Sequence, residues 1–182
     1  MALRFAIIIT LEDKLCSGYE IAQNFNRGLG YFWCASHQQI YLELKKMTDA
    51  GLVSYDVIKQ VGKPAKKVYR TTTEGFNALD DWLLLPAKMT PVKDALLMKI
   101  YVGSRVNPTV LLTEVQRHQQ HYRELLKTYQ EIDGCFQPIK EKPTKYQYSY
   151  LTLRKGILQA EAWLVWSDEV CTFLNDQIKD SF

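Results

Sequence analysis

The stretch Ser36–Gly51, SHQQIYLELKKMTDAG, constrains this chain more than any other. Read as a helix, it places Ile40, Leu44 and Met47 on one narrow apolar stripe. Gln38, Tyr41, Lys45 and Asp49 then fall on or toward the opposite side, with Leu42 among them. Gly51 stops the helix, because glycine enters the left-handed C-terminal conformation without a Cβ penalty. A helix that buries three apolar residues and shows amides, a hydroxyl and lysines suits the reading of base edges in a DNA major groove. Most amphipathic helices merely turn such a face to water, so this one takes its meaning from its flanks.

Upstream, SGYEIAQNFNRGLG opens at Ser17. Ser17 and Glu20 make the S-x-x-E capping box, in which hydroxyl and carboxylate satisfy orphaned backbone donors. Ile21 and Phe25 give the inner face, and Gly28 or Gly30 ends the element. A short glycine-punctuated turn leads to Ser36, so two helices joined by a few residues form a helix-turn-helix. After Gly51 the period changes: Leu52, Val53, Tyr55 and Val57 suit a strand, as does KVYRT at 67–71. Between them KQVGKPAKK reads as a Gly-Pro turn, and 59–70 holds five basic residues and no acid. Lysines on a hairpin also protect an exposed strand edge. The order helix, turn, helix, basic hairpin decides for a two-stranded wing. A threonine-capped helix from about Thr72 to Leu85, burying Phe76, Leu79, Trp82 and Leu83, closes the unit. Leu3–Leu11 stays ambiguous, because periodicity cannot separate a short strand from a buried helix.

Pro86 and Pro91 bracket a linker, which divides the chain into 1–86 and 92–182. A brief helix, PVKDALLMKIYV, is followed by Asn107-Pro108, an N-cap with proline at the first helical position. The next helix carries Leu111, Val115, His118, Tyr122, Leu125, Tyr129 and Ile132 in steps of four and three, and a loop from Gly134 to Lys145 breaks it. The last helix repeats the device with Tyr150, Leu153, Ile157, Ala160, Leu164, Ser167, Cys171, Leu174 and Ile178. A second stripe, Trp163, Trp166, Val170 and Phe173, runs beside it. So much apolar surface needs another helix of the same chain and more from a second chain. The expected dimer seam is Leu111, Val115, Tyr122, Leu125, Leu153, Ile157, Trp163, Leu164, Trp166 and Cys171.

Composition adds limits. Of the 182 residues, 1–86 hold 10 Lys+Arg against 9 Asp+Glu and the rest 13 against 11, so any nucleic-acid footprint must be local. The first eleven residues are too short an apolar run for a signal peptide, and no stretch approaches a membrane span; the expected compartment is cytoplasmic. Cys16, Cys34, Cys135 and Cys171 are scattered without a CxxC pair and read as reduced thiols, none marked as an activated redox switch. GxSxG, P-loop and Rossmann signatures are missing, so an enzyme has little support and no cofactor is expected. Cys34-x-x-His37 resembles a nucleophile–base or metal pair, but a DNA contact by His37 is simpler. His118 and His121 read as polar seam positions before they read as metal ligands. Tyr146, Tyr148, Tyr150, Trp163 and Trp166 read as core before they read as a small-molecule pocket.

SGYEIAQNF, ASHQQIYLELKKMTDAGLV and GKPAKKVYRTTTEG together resemble the PadR family of transcriptional regulators. The ending YSYLTLRKGILQAEAWLVWSDEV resembles the C-terminal region of its virulence-activator-alpha subgroup. The resemblance implies a mainly α homodimer with an N-terminal winged helix, in which Leu3–Leu11 is helical, and a C-terminal helical dimerisation region. It implies a reading helix in the major groove and a wing on the backbone or minor groove of a pseudo-palindromic operator. Family members often respond to small-molecule effectors, which adds one partner class. The expected DNA-facing set is Ser17, Tyr19, Ser36, His37, Gln38, Tyr41, Lys45, Lys63, Lys66 and Lys67. Three residues depart from the family pattern. Leu42 stands where proline is frequent, Lys63 where the wing has arginine, and Lys155 where an aromatic is common. The alternative reading is a dimeric helical interaction or effector-sensing module whose winged helix no longer binds DNA.

Overall fold

The structure, a computed structural model, describes residues 2–12, 14–27, 35–60, 62–89 and 93–180, with the backbone alone at 26, 27, 60, 63 and 64. Gly28, Gly30, Cys34 and Pro91 lie outside the described residues. The chain divides into two compact units, 1–89 and 90–182.

In the first unit, helix α1 (Ala2–Leu11) settles the ambiguous segment as helical and buries Phe5, Ile7, Ile8 and Leu11. Strand β1 (Cys16–Ser17) precedes α2 (Gly18–Arg27), and α3 (His37–Asp49) follows. The hairpin β2 (Val53–Gln60) and β3 (Lys63–Thr71) leads into α4 (Thr73–Leu83). The sheet has three antiparallel strands in the order β1-β3-β2, one more than the two-stranded wing expected from sequence. Two residues carry no readable periodicity, so β1 is visible only through its pairing, Cys16 with Tyr69 and Ser17 with Val68. The hairpin also runs further than its Gly-Pro stretch suggested. Gln60 pairs with Lys63, so Pro64 lies inside β3, and Gly62 adopts the positive φ of +71° that the tight turn requires.

The core of this unit gathers one face of each helix. Phe5, Ile7 and Ile8 of α1, Ile21 and Phe25 of α2, and Ile40, Leu44 and Met47 of α3 pack with Cys16, Val53, Tyr69 and Leu79. Trp82 stacks on Phe5 with ring centroids 4.6 Å apart. Phe76 and Leu83, expected to be buried, are exposed, because α4 turns only the Gly75, Leu79 and Trp82 side inward.

The second unit holds α5 (Ala95–Tyr101), α6 (Pro108–Phe136) and α7 (Thr144–Lys179). Asp94 caps α5, and Asn107 caps α6 ahead of its first-turn proline. Lys99 of α5 donates to both oxygens of Glu114 on α6, at 2.8 and 2.9 Å. The break between α6 and α7 is shorter than expected, with a single 3-10 turn at Ile139–Glu141. The two long helices form an antiparallel hairpin. Leu111, Val115 and Tyr129 of α6 are buried with Ile157, Ala160, Ser167 and Leu174 of α7, and Tyr122, Leu125, Leu153, Leu164 and Cys171 are half-buried. Tyr122 stacks on Trp163 at 4.1 Å, and Trp163 meets Trp166 edge-on. Within one chain the α6–α7 seam thus covers Leu111, Val115 and Ile157 of the expected dimer set, and Tyr122, Leu125, Leu153, Trp163, Leu164, Trp166 and Cys171 in part. Heptad spacing fixes which face is buried but not whose helix covers it.

Buried inside that seam, Gln119 donates from Nε2 to Ser167 Oγ at 3.0 Å and to Asp168 Oδ1 at 2.7 Å. At Gly156 an added Cβ would sit 3.0 Å from the Tyr129 ring, so the helices meet closely there. Among the described glycines the tightest approach is elsewhere: a Cβ on Gly75 would lie 2.2 Å from the Leu52 carbonyl oxygen. Backbone cannot yield as a side-chain tip can. Gly75→Ala should destabilise the first unit by about 3 kcal/mol, read as a lowered urea midpoint; an unchanged midpoint would mean that α4 and Leu52 are not in contact.

Candidate nucleic-acid interface

Helix α3 is held at both ends by its own sequence. Ser36 Oγ accepts from the Gln39 N–H at 3.2 Å, and Gln39 Oε1 accepts from the Ser36 N–H at 2.9 Å. This reciprocal cap commits Gln39 and the Ser36 side chain, and leaves Gln38 as the uncommitted amide of the two exposed glutamines. At the other end the Gly51 N–H donates to Thr48 O and the Leu52 N–H to Met47 O, a Schellman arrangement with Gly51 at φ +72°. Arg4 Nε donates to Glu43 Oε1 at 3.1 Å and pins the flank of α3 to α1.

With Ile40, Leu44 and Met47 buried, the opposite side of α3 faces outward. Tyr41 is 47% and Leu42 54% exposed, and Gln38 and Lys45 are exposed beside them. Tyr19, at the start of α2, is likewise exposed; its hydroxyl accepts from Gln23 Nε2 at 2.7 Å, and its ring lies 6.3 Å from that of His37. Gly18 makes the junction possible. A Cβ there would lie 2.6 Å from the Tyr41 ring, so the missing side chain lets Tyr41 rest over the beginning of α2. Tyr19, His37, Gln38, Tyr41 and Lys45 thus come together on α2 and α3.

Beside this surface runs a groove of about 990 Å³ between α2, α3 and the hairpin, with Tyr41, Lys45, Tyr55 and Lys67 on its walls. Lys67 Nζ stands 4.1 Å over the Tyr55 ring, and the hydrogen bond with Tyr55 holds its ammonium pKa above the ordinary value. The other basic side chains of the hairpin are placed differently. Lys66 donates to Glu20 Oε1 at 3.0 Å, and Arg70 pairs with Asp56 across the strands. The Lys63 side chain lies outside the described residues. Lys59, not singled out from sequence, is exposed on β2.

Ser17 is buried. Its hydroxyl donates to Glu20 Oε2 at 2.7 Å and accepts from the Glu20 N–H at 3.3 Å, so the expected capping box is present and the side chain is turned away from solvent. The Ser17 bonds, with Lys66 behind them, lower the Glu20 carboxyl pKa from 4.5 to about 2.

Among the described residues other chemistry finds no assembled site. Burial pushes the thiols of Cys16 and Cys171 up, away from reactivity. Among the described residues no group of three or more His, Cys, Asp or Glu side chains is placed to hold a metal, and no helix is long and apolar enough to cross a membrane. His118 lies near Trp163, and His121 is edge-on to Tyr122. The five aromatics of the last helix weighed as a pocket do not all converge either. Tyr150 packs on Phe136, while Trp163 stands ~20 Å further along α7.

The comparisons bear on this surface. The model of the PadR-like family of transcriptional regulators matches residues 7–81, and that of the virulence activator alpha C-terminal region matches 92–175. A probable transcriptional regulator of Mycobacterium tuberculosis is 32% identical, covering 97% of this chain and 100% of its own. Among solved structures, Bacillus subtilis PadR in complex with operator DNA superposes with a TM-score of 0.81 at 28% identity, over 96% of this chain and 99% of its own. The same protein in complex with p-coumaric acid gives a TM-score of 0.75 at 27% identity, over 96% and 99%. The Vibrio cholerae virulence activator AphA gives 0.78 at 32% identity, again over 96% and 99%. Two family models placed end to end, and a relative at 32% identity along almost the whole chain, lead to one conclusion: this chain belongs to the PadR-like family of transcriptional regulators.

Proposed function

We propose that the chain acts as a homodimer that reads a two-fold symmetric DNA site, each protomer setting α3 into a major groove and its wing against the phosphate backbone. The observation that carries this reading is the phase of α3: its apolar stripe is buried, and Gln38, Tyr41, Leu42 and Lys45 are turned outward beside Tyr19 and His37. That row combines a planar amide suited to adenine, a hydroxyl for phosphate or a base edge, and an apolar side chain suited to a thymine methyl. Leu42, a departure from the family's usual proline, gains a use in this arrangement. Lys45, Lys67 and Lys59 supply the local positive charge that the overall composition lacks. The relative solved with operator DNA supports the same class of partner. Among the described residues enzymatic roles have no assembled constellation to draw on. A phenolic acid is the effector class suggested by the p-coumaric acid complex of the Bacillus subtilis protein.

The dimer rests on α7. Its inner face is used by α6, yet Leu151, Leu158 and Val165 recur every seven residues on the outer side and are 63%, 54% and 62% exposed. A seven-residue apolar repeat on a long helix is the pattern that a second helix covers. A second copy of the chain supplies one and brings the second reading helix that a symmetric site needs.

Two measurements test this. Selection from a randomised duplex pool should return an inverted repeat, and Gln38→Ala should relax the preference at one position per half-site, at a cost of about 1–3 kcal/mol on the selected duplex. An unchanged base profile removes Gln38 from readout, and failure of the wild type to retain any duplex removes DNA binding. For the dimer, Leu158→Glu together with Val165→Glu buries two unpaired charges in the outer seam, at a cost of several kcal/mol (~3 or more). Sedimentation should then show monomers that keep their helical content; a persisting dimer moves the interface elsewhere.

A further inference from the structure

Glu20 stands where the helix-turn-helix meets the wing. Its Oε2 accepts from both the backbone N–H and the hydroxyl of Ser17, each at 2.7 Å, while its Oε1 accepts from Lys66 Nζ at 3.0 Å. Ser17 is buried and lies opposite Val68 of β3. One carboxylate therefore joins the first turn of α2, strand β1 and the wing. Strand β1 pairs with β3 only at Cys16–Tyr69 and Ser17–Val68. Beyond Val68, the hairpin relies on side-chain ties to the rest of the unit, and Lys66–Glu20 is such a tie.

The neighbouring lysine behaves differently. Lys67 is exposed, rests on the Tyr55 ring and has no carboxylate partner among the described residues, so its charge is available to an anion. For Lys66 to reach a phosphate it would have to leave Glu20, and that carboxylate would then stand bare on the surface that approaches polyanionic DNA. Like charges at that distance repel, so the exchange loses at both ends.

We propose that Lys66 is a positioning residue, not a phosphate contact: the Lys66–Glu20 pair latches the wing to α2 and masks the Glu20 charge, while Lys67 meets the DNA backbone. This rests on the DNA-binding reading above, and it changes the expected roles of two adjacent lysines.

The test uses the full chain, the duplex that the wild type selects from a randomised pool, and the variants Lys66→Met, Lys67→Ala and Glu20→Gln. Glutamine keeps an oxygen for the Ser17 donors and loses the charge. Affinity is measured as a function of salt. Lys67→Ala should lower the slope of log affinity against log salt by about one unit. Lys66→Met and Glu20→Gln should each weaken binding about two- to fivefold with the slope unchanged, the scale of a partly exposed ion pair. If Lys66 instead contacts phosphate, Lys66→Met lowers the slope by about one, and Glu20→Gln tightens binding by freeing the lysine and removing an anion. Either result overturns the proposal.

Amide hydrogen exchange on the DNA-free protein decides the latch independently. Exchange of the β2–β3 amides should rise in Lys66→Met and Glu20→Gln and stay at the wild-type rate in Lys66→Arg, while the amides of Leu44 and Met47 in α3 are unaffected. An unchanged hairpin, or a rise spread over the whole unit, overturns the latch. If the wild type retains no duplex at all, the DNA reading fails while the exchange experiment still decides the latch.

Discussion

The arrangement of this protein's candidate DNA-facing surface depends on the burial of three side chains, Ile40, Leu44 and Met47, along one line of α3. Each contributes about 1.5–3 kcal/mol by leaving water, whereas an exposed ion pair such as Arg70–Asp56 contributes up to about 1 kcal/mol. The apolar line therefore sets the rotation of the helix, and the polar groups follow. Gln38, Tyr41, Leu42 and Lys45 face outward because they are the residues left over once that line is satisfied. The caps at Ser36 and Gly51 fix where the helix begins and ends, so the same four positions are presented at a defined height. Gly18 adds the close fit of Tyr41 over α2.

The second unit obeys a similar rule with a different outcome. Two long helices bury one face each against the other, and the Gln119–Ser167 hydrogen bond sits inside an otherwise apolar seam, with the exposed Asp168 accepting from Gln119 at its edge. A one-turn slip would leave the buried Gln119 amide without these partners, at a cost of about 1–3 kcal/mol, so the pairing favours a single register. Arg123 donates to Gln119 Oε1 at 3.4 Å at the edge of this layer. What remains on α7 is the outer line of Leu151, Leu158 and Val165, apolar and uncovered within the chain.

Much of this was legible in the sequence, because the signals are local. The phase of α3, the Ser17–Glu20 box, the stop at Gly51 and the Asn107-Pro108 start each depend on a few neighbouring residues. What was not legible depends on partners distant in the chain. Strand β1 exists only through pairing with β3, and Gly75 matters only because Leu52 passes 2.2 Å from where its Cβ would be. The α6 and α7 stripes were visible, but spacing alone could not say that they cover each other. The basic count of the hairpin overstated its free charge, since Lys66 and Arg70 already have carboxylate partners. Leu3–Leu11 was decided by the family resemblance and then by the helix itself, since nine mostly apolar residues fit either structure.

The central claim is that the outward face of α3 enters a major groove once per protomer. Methylation interference on the selected duplex tests it most directly, because dimethyl sulfate marks guanine N7 on the major-groove edge. The account predicts two clusters of interfering guanines related by two-fold symmetry and separated by about one helical turn, roughly 34 Å, or a multiple of it. Binding that is indifferent to N7 methylation throughout the site, or a single unpaired cluster, would contradict it.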